Sequence, residues 1–341
     1  MFASGFIPII HARLPQRSAL AFGFYFAGLV LGQLSIYTFV QLRRPRRIYP
    51  IVEAVFGLTL LAMGALLDRF PVTLIPGRFA EGLAGGLGLP LMFSYVRNLK
   101  ALKTVGQQIT LFNSGFAVGF VVGPLSVSWM IGQVSPGRIL FGFGLLFIAL
   151  GAALSPLLAH LPGPAAGEVG REGALSGVKW FDSFFTLFLA KSFYGFLLPF
   201  FTATLLPRLA PLTLTTAMLA FSAVFVLGQG LANPLTRAFP LRGLEVALPL
   251  VLGAVVLGVR LADLPFAMYL AALLHSFLLF IAFLQLANKP GTAREFALFN
   301  SLSDPGMVLG AMLAGIGVNG MFGLFALCLF PLVRTLTARP E

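Results

Sequence analysis

Residues 111–124 read LFNSGFAVGFVVGP, and much of this stretch occurs a second time in the chain. Leu, Phe, Asn and Ser recur at residues 298–301, and two of the glycines recur at the same offset of 187 residues. A second repeat places VLGQ at residues 30–33 and again at 226–229, with an offset of 196. A single loop that differs in length between the two copies explains why the two offsets differ. We therefore predict two related halves in tandem.

The composition is that of a protein with many membrane-spanning segments. The mean hydropathy is +0.94, hydrophobic residues make up 58% of the chain and charged residues only 10%. A soluble globule cannot bury this apolar surface. The net charge of +12 would suggest a nucleic-acid partner in a soluble domain, but here we assign it to loops that face anionic lipid and the cytoplasm. We expect no nucleic-acid partner.

Apolar runs that approach the roughly 20 residues needed to cross a bilayer divide the chain into twelve predicted helices. The predicted spans are residues 1–11, 18–41, 48–67, 72–96, 107–132, 138–160, 180–206, 212–235, 244–261, 264–287, 294–317 and 319–336.

Helix 1 is too short to cross the bilayer. Residues 4–8 nevertheless resemble residues 194–199 in helix 7, which has further apolar residues upstream. We therefore expect helix 1 to be incomplete, because the chain begins partway through it. A secretory signal peptide is the alternative, although no basic n-region and no small-residue cleavage site precede Arg13.

Lys and Arg residues predict the orientation. Fifteen fall in loops that would face inside if the amino terminus is inside, against seven in outside loops and helix ends. We predict a multi-pass protein of the cell membrane (inner or plasma membrane) with both termini cytoplasmic. Residues 161–179 are rich in Pro and Gly and form the predicted cytoplasmic linker between the halves, which are residues 1–160 and 180–341.

Two six-helix halves in parallel repeat resemble the major facilitator superfamily of secondary transporters. The fifth-helix signature Gly-x-x-x-Gly-Pro of that family matches Gly119, Gly123 and Pro124, and Gly115 extends the small face by one turn. Glycines four residues apart allow close helix contact, and proline bends a helix. The full signature is associated with exporters, but this chain has Val and Ser at 127–128 where the family continues with glycines.

The loop between helices 2 and 3 carries basic residues that the family uses to latch the cytoplasmic helix ends. Arg43, Arg46 and Arg47 match these positions, whereas Leu42 stands where the family has an acid. Glu53 is the nearest acid that could replace it. The ordinary excess of positive charge in cytoplasmic loops explains the arginines equally well.

Helix 4 resembles the family's Arg-x-x-polar-Gly signature through Arg78, Glu81 and Gly82. The first two lie three residues apart on one side of the helix and can form an ion pair. The resemblance implies that Arg78 takes part in proton transfer. The alternative is that Arg78 extends to the outer interface of the membrane.

Three ionisable residues fall near the middle of predicted helices in the second half. They are Lys191 in helix 7, His275 in helix 10 and Asp304 in helix 11, the last followed by Pro305 and Gly306, which should kink the helix. We predict that Asp304 carries the proton, that Lys191 balances its charge and that His275 titrates or contacts substrate. A static buried ion pair between helices 7 and 11 is the alternative.

Neutral polar residues occur at equivalent places in the two halves: Gln33 and Gln229 on helices 2 and 8, Asn113 and Asn300 on helices 5 and 11. Their repetition favours hydrogen bonds that hold each half together. Contact with substrate is the second interpretation. Aromatic residues of helices 2 and 7 could line a pocket for an amphipathic or aromatic solute, but most of them are expected to face lipid.

The predicted function is alternating-access transport, with proton-coupled export of a small organic compound as the leading version and proton-coupled uptake of a nutrient or metabolite as the second. An integral membrane enzyme or a channel remains open as a function of another class. The three histidines are scattered and no Walker-type phosphate loop occurs, so the sequence predicts no enzyme activity, no metal and no cofactor. The expected partners are the substrate, protons and the lipid bilayer, and the protein is expected to be monomeric.

Overall fold

The structure is a computed structural model that describes residues 6–39, 45–97, 115, 118–119, 122–160, 177–208, 213–287 and 301–337. These residues are almost entirely helical and contain no strand. Eight of the described helices are long and apolar enough to cross a membrane. The predicted fold class, an all-α polytopic membrane protein, is confirmed.

Within the described residues, twelve helices follow in chain order, and each lies within or close to a predicted span. In the first half they are α1 (Ile7–Arg13), α2 (Ser18–Phe39), α3 (Pro45–Leu67), α4 (Leu74–Arg97), α5 (Val122–Ile131) and α6 (Pro136–His160). In the second half they are α7 (Gly177–Phe200), α8 (Leu214–Ala238), α9 (Leu241–Leu261), α10 (Ala267–Ala287), α11 (Pro305–Gly315) and α12 (Val318–Thr337).

Local sequence explains where several of these helices begin. Pro45, Pro136 and Pro305 occupy first helical positions, where the missing N–H of proline costs nothing. The side chain of Thr213 caps α8 by accepting a hydrogen bond of 3.1 Å from the backbone N–H of Thr216. The predicted linker lies mostly outside the described residues, and its boundaries stay a prediction.

The two halves pair their helices in the same way. Helix α2 packs on α4 and α3 on α6 in the first half, and α8 on α10 and α9 on α12 in the second. The contact between α2 and α4 is made between their backbones. A Cβ added at Gly82 would overlap the carbonyl oxygen of Tyr25, and one added at Gly28 would overlap that of Phe79. Small residues thus hold α2 and α4 at the shortest distance that helices can reach.

The halves meet along α2, which packs on both α7 and α11. At the first turn of α2 the hydroxyl of Ser18 donates a 3.3 Å hydrogen bond to the carbonyl oxygen of Pro199. Nearby, a Cβ placed on Gly315 would lie 3.4 Å from the Cβ of Ala19. Helix α1 also packs on a π-helical turn, Phe201–Leu205, that continues α7. The halves are therefore in contact at the end of the bundle that is predicted to lie outside.

At this same end, each half carries one ion pair between its connecting segments. Arg13 contacts Asp68 at 2.6 Å in the first half, and Arg208 contacts Asp263 at 2.7 Å in the second. The partners are 55 residues apart in both pairs, and the second pair follows the first by 195 residues. The repeat therefore extends to the loops. The equal spacing is present in the sequence, but the predictions above consider charges inside the helices and do not include these pairs.

The Arg13–Asp68 pair has more hydrogen bonds than the Arg208–Asp263 pair. The hydroxyl of Ser135 donates a 2.6 Å hydrogen bond to Asp68, and the N–H of Gly137 lies 3.3 Å from the same carboxylate. These donors, Ser135 first, together with the Arg13 charge hold the pKa of Asp68 below its ordinary value of 3.8. A group whose pKa is lowered by folding stabilises the protein above its ordinary pKa, and this contribution disappears as the pH falls through the lowered value.

We expect Asp68→Asn to lower the free energy of unfolding by up to about 1 kcal/mol at neutral pH, since the carboxylate is partly exposed. The difference from wild type should shrink as the pH falls below 4, and thermal unfolding in detergent between pH 7 and pH 3 measures it. Asp263→Asn is the matched control, because the structure describes only the Arg208 contact for that carboxylate. Equal losses in the two variants, independent of pH, would contradict the assignment.

Candidate functional site

A charged pair lies inside the second half, where α7 meets the start of α11. The ammonium group of Lys191 donates a hydrogen bond to Oδ1 of Asp304. Both side chains are buried, Asp304 with 1% of its surface exposed. The pair that the sequence predicted is thus formed in the structure. Its role in proton transport is a separate question, because the pair alone is equally compatible with a static link.

Small residues bring the two helices close enough for this pair. A Cβ added at Gly195 would overlap the carbonyl oxygen of Met307, and one added at Gly310 would overlap that of Ser192. Helices α7 and α11 therefore touch through their backbones, close to the level at which Lys191 lies. The repeated glycine of the sequence thus sets the distance between the charged residues.

Asp304 stands at an interruption of its helix. Residues 301–303 are helical, Asp304 itself is in a turn, and Pro305 begins α11. The N–H of Asp304 donates to the carbonyl oxygen of Ser301 at 3.2 Å, and the N–H of Met307 donates to that of Asp304 at 2.8 Å, so both bonds close three-residue turns. Proline removes the usual four-residue bond at this point. The interruption that the sequence predicted is present.

Gln33 of α2 reaches across the contact between the halves. Its Oε1 accepts a 2.8 Å hydrogen bond from the hydroxyl of Ser301, and the amide lies near the Asp304 carboxylate. Gln229, its repeat counterpart, donates from Nε2 to the carbonyl oxygen of Ser276 at 3.0 Å, which joins α8 to α10 within one half. The predicted role, a hydrogen bond between two helices of the same half, therefore holds for Gln229. It is wrong for Gln33, because α2 faces the other half at this level.

A second buried pair lies on α4 in the first half. Nη1 of Arg78 is 2.5 Å from Oε2 of Glu81, and both side chains are fully buried. The guanidinium group lies 4.2 Å from the ring centroid of Tyr25, 4.9 Å from that of Phe6 and 5.8 Å from that of Phe22. Rings at these distances stabilise a cation. The alternative in which Arg78 extends to the membrane surface is therefore wrong, since aromatic residues distant in sequence enclose it.

Two tyrosines lie between the charged pairs. Tyr25 is within electrostatic range of Arg78, Glu81, Tyr194 and Asp304. The ring of Phe26 packs edge-on between the two tyrosines, 5.5 Å from Tyr25 and 5.8 Å from Tyr194. Most aromatic residues of helices 2 and 7, a set that includes Tyr25 and Tyr194, are predicted to face lipid. The two tyrosines and Phe26 are largely buried instead, because both helices lie at the contact between the halves.

His275 of α10 supports α7 beside the charged pair. Its Nε2 lies 3.0 Å from the carbonyl oxygen of Ala190, so Nε2–H is the donor. The imidazole stacks on Tyr194 at 5.9 Å and packs against Phe225 at the same distance. Among the described contacts it touches neither Lys191 nor Asp304. The structure therefore gives His275 a positioning contact, and its predicted titration or substrate contact stays a prediction.

Several buried polar atoms in this region make no hydrogen bond within the described part of the chain. Buried polar groups in proteins are nearly always bonded, so such atoms mark places where water, a proton or a ligand can bind. They are Nε and Nη2 of Arg78, Oε1 of Glu81, Nε2 of Gln33 and Oδ2 of Asp304. No group of three His, Cys, Asp or Glu suited to a metal is found among the described residues.

The glycine signature of helix 5 borders an apolar cavity. Gly119 and Gly123 line a space of about 180 Å³ together with side chains of α1, α3 and α6, and none of the charged residues takes part. Pro124 is buried, whereas a Cβ on Gly115 would meet nothing within 4 Å. The described surroundings of this signature are thus apolar, and Gly115 is exposed. Its predicted role in conformational change stays a prediction.

Several predicted residues cannot be placed. Asn113, Asn300 and Arg43 lie outside the described residues. Arg46 and Arg47 fall in the first turn of α3, but their side chains also lie outside the part that the structure describes. The cytoplasmic latch and the polar positions on helices 5 and 11 therefore stay predictions.

The comparison with solved structures identifies the fold. The crystal structure of a D-xylose-proton symporter matches with a TM-score of 0.70 over 99% of this chain and 93% of that one. This chain has the major facilitator fold. The two sequences are only 12% identical, so the likeness concerns the major facilitator fold and not the cargo. No family model matches the sequence, and no curated protein matches it.

The pair on α4 can be tested by a double-mutant cycle. We expect Arg78→Gln to lower the free energy of unfolding by about 3 kcal/mol, because it leaves Glu81 charged and unpaired in an apolar interior. Arg78→Gln combined with Glu81→Gln should recover most of the loss. Thermal unfolding in detergent measures the two single variants and the double variant against wild type. If the two single losses simply add in the double variant, the side chains are not coupled.

Proposed function

We propose that the protein is a secondary active transporter, which moves a small organic compound across the membrane by alternating access and couples this movement to protons. The observation that carries the proposal is the buried pair of Lys191 and Asp304, because one carboxylate oxygen of the pair has no partner among the described residues. Ionisable groups inside membranes are costly and usually serve a transport path.

The unpartnered oxygen Oδ2 of Asp304, rather than the pair itself, favours a proton carrier over a static link. A buried ion pair lowers its cost by satisfying all its oxygens and hydrogens. Here Oδ1 of Asp304 accepts from Lys191, while Oδ2 accepts no hydrogen bond from the described residues. The adjoining helix α11 packs on α2 of the other half. A proton that reaches Oδ2 neutralises the carboxylate, and Lys191 can then exchange partners. The same site can therefore exist in two charge states without unfolding the helices.

The contact between the halves supports alternating access. Ser18 and Pro199 are joined by a hydrogen bond, and Ala19 faces Gly315, at the end of the bundle predicted outside. This contact would oppose the release of a compound bound near Asp304 through this end. A carrier would have to separate α2 from α7 and α11 here to expose its site on that side. The large-scale rocking of two repeats is a known mechanism for such folds.

Two observations bear on the direction of transport. The helix 5 signature favours export in exchange for protons. Proton-coupled uptake is the second candidate, and it is favoured because the structurally similar protein is a D-xylose-proton symporter. An enzyme or a channel would need a different site, and neither saturable uphill transport nor proton exchange would then occur.

The first test replaces the proposed proton carrier. In everted vesicles screened with small organic compounds, wild type should accumulate its substrate under a pH gradient and release protons when substrate is added. Asp304→Asn should abolish both responses, because the amide cannot gain a proton at any ordinary pH. The loop variant Asp263→Asn is the control and should behave as wild type.

Stability must be separated from coupling in this test. Lys191→Gln together with Asp304→Asn removes both charges and should restore a stable fold, while proton coupling stays lost. Full proton-driven transport in folded Asp304→Asn protein would exclude Asp304 as the carrier. Flux that follows the substrate gradient without saturation would favour a channel, and formation of a new compound would favour an enzyme.

The second test locks the closed end. A disulfide between Ala19→Cys and Gly315→Cys, made with Cys328→Ala, should form on oxidation, because their Cβ positions lie 3.4 Å apart, near the disulfide range of about 3.5–4.5 Å. We expect oxidation to stop transport and a reductant to restore it. Each single cysteine variant should be insensitive to the oxidant. Transport at the full rate by cross-linked protein would contradict alternating access.

A further inference from the structure

Gln33 and Gln229 occupy the same place in the two repeats but have different partners. Gln229 donates to a backbone carbonyl within its own half, at Ser276. Gln33 instead accepts from the Ser301 hydroxyl of the opposite half, and this bond of 2.8 Å is buried. One copy of the repeated glutamine therefore stabilises a half, while the other connects the halves.

The contact made by Gln33 is directly adjacent to Asp304. The N–H of Asp304 donates to the carbonyl oxygen of Ser301 in a single tight turn, so both residues belong to the same interrupted segment. The Gln33 amide is close enough to act on the Asp304 charge. Nevertheless, Nε2 of Gln33 and Oδ2 of Asp304 are both buried without a hydrogen bond among the described residues. A donor on one half and an acceptor on the other are thus both without a hydrogen bond, on either side of the contact that Gln33 makes with Ser301.

We propose that Gln33 is a positioning residue that makes the contact between the two halves depend on the charge of Asp304. This inference rests on the proposed function, in which Asp304 carries the proton. The ionised carboxylate is a strong acceptor for the amide N–H of Gln33, and together with the Ser301 bond it draws α2 toward the interrupted helix. Protonation weakens this attraction and leaves the Ser301 bond as the polar link at this level.

The physical basis is a differential interaction between two conformations. A proton can shift an equilibrium only if it binds the two states unequally. Asp304 and Lys191 both belong to the second half, so the energy of their ion pair does not depend on the position of the first half. Gln33 belongs to the first half and contacts the segment that contains Asp304. Its amide therefore makes the energy of the Asp304 charge depend on the distance between the halves.

Other groups face Asp304 from the surrounding helices and must be kept constant. Lys191 of α7 is its ion-pair partner, and Tyr25 of α2 is within electrostatic range. Tyr194 of α7 and the Arg78–Glu81 pair of α4 act on Tyr25 in turn. None of these side chains is altered when Gln33 is replaced, so a change in coupling can be assigned to the amide.

The test compares Gln33→Leu with Gln229→Leu, its matched control at the equivalent repeat position. The measurement is steady-state substrate accumulation in reconstituted vesicles as a function of the imposed pH gradient, beside substrate exchange at equal pH on both sides. A purely structural role would lower rates but leave the steady-state accumulation unchanged. We expect Gln33→Leu to lose most of its accumulation, which for one coupled proton is at most about tenfold per pH unit of the gradient, while exchange persists and Gln229→Leu keeps the wild-type dependence.

Gln33→Asn is the second variant, because it keeps an amide that is too short to reach both partners and disturbs packing less. It should reproduce the loss of coupling if Gln33→Leu fails to fold. In the Asp304→Asn background, replacement of Gln33 should change exchange no further, since the amide acts through that carboxylate.

The outcomes separate the two proposals. If wild type shows proton-driven accumulation and folded Gln33→Asn retains it in full, the role of Gln33 is overturned and the proposed function stands. If accumulation in Gln33→Leu and Gln229→Leu falls equally, Gln33 has no special role. If wild type itself shows no proton-driven accumulation, both proposals fail.

Discussion

A charge can stay inside an apolar helix bundle only when an opposite charge or a set of dipoles lies against it, and this constraint shapes the interior of the protein. The second half satisfies it by bringing Lys191 and Asp304 together on different helices, which requires the backbones of α7 and α11 to touch at Gly195 and Gly310. The packing of small residues is therefore a condition for the ion pair. A larger residue at either glycine would separate the charges and leave both uncompensated.

The two buried pairs differ in what they can respond to. Arg78 and Glu81 are three residues apart on one helix, and aromatic rings enclose the guanidinium group, so movement of α4 as a rigid body leaves the pair intact. The pair of Lys191 and Asp304 joins two helices and is sensitive to any shift between them. The Arg78–Glu81 pair thus suits a role in which its charges stay constant. The second pair suits a group whose environment changes when the two helices move relative to each other.

The repeat was sufficient to predict the architecture from the sequence, because duplication of LFNS and of the glycine spacing constrains the whole chain. The ion pair of Lys191 and Asp304 was also predictable, since charges deep in apolar runs have few possible partners. The surroundings of Arg78 were not predictable. They depend on Phe6 and Tyr25, whose approach is set by backbone contact between α2 and α4. A sequence pattern indicates which residues need partners, whereas the packing decides which partners they find.

Gln33 shows the same limit of prediction from the sequence. Equivalence within the repeat predicted the same contact for both glutamines, but a helix has two faces, and α2 uses this one for the opposite half. The repeat gives the two halves the same pairing of helices. Symmetry alone, however, cannot make one arrangement respond to a proton. That requires polar contacts that differ between the halves, and the described contacts of the repeated glutamines differ in this way: Gln33 bonds to Ser301 of the opposite half, beside Asp304, and Gln229 bonds to Ser276 within its own half.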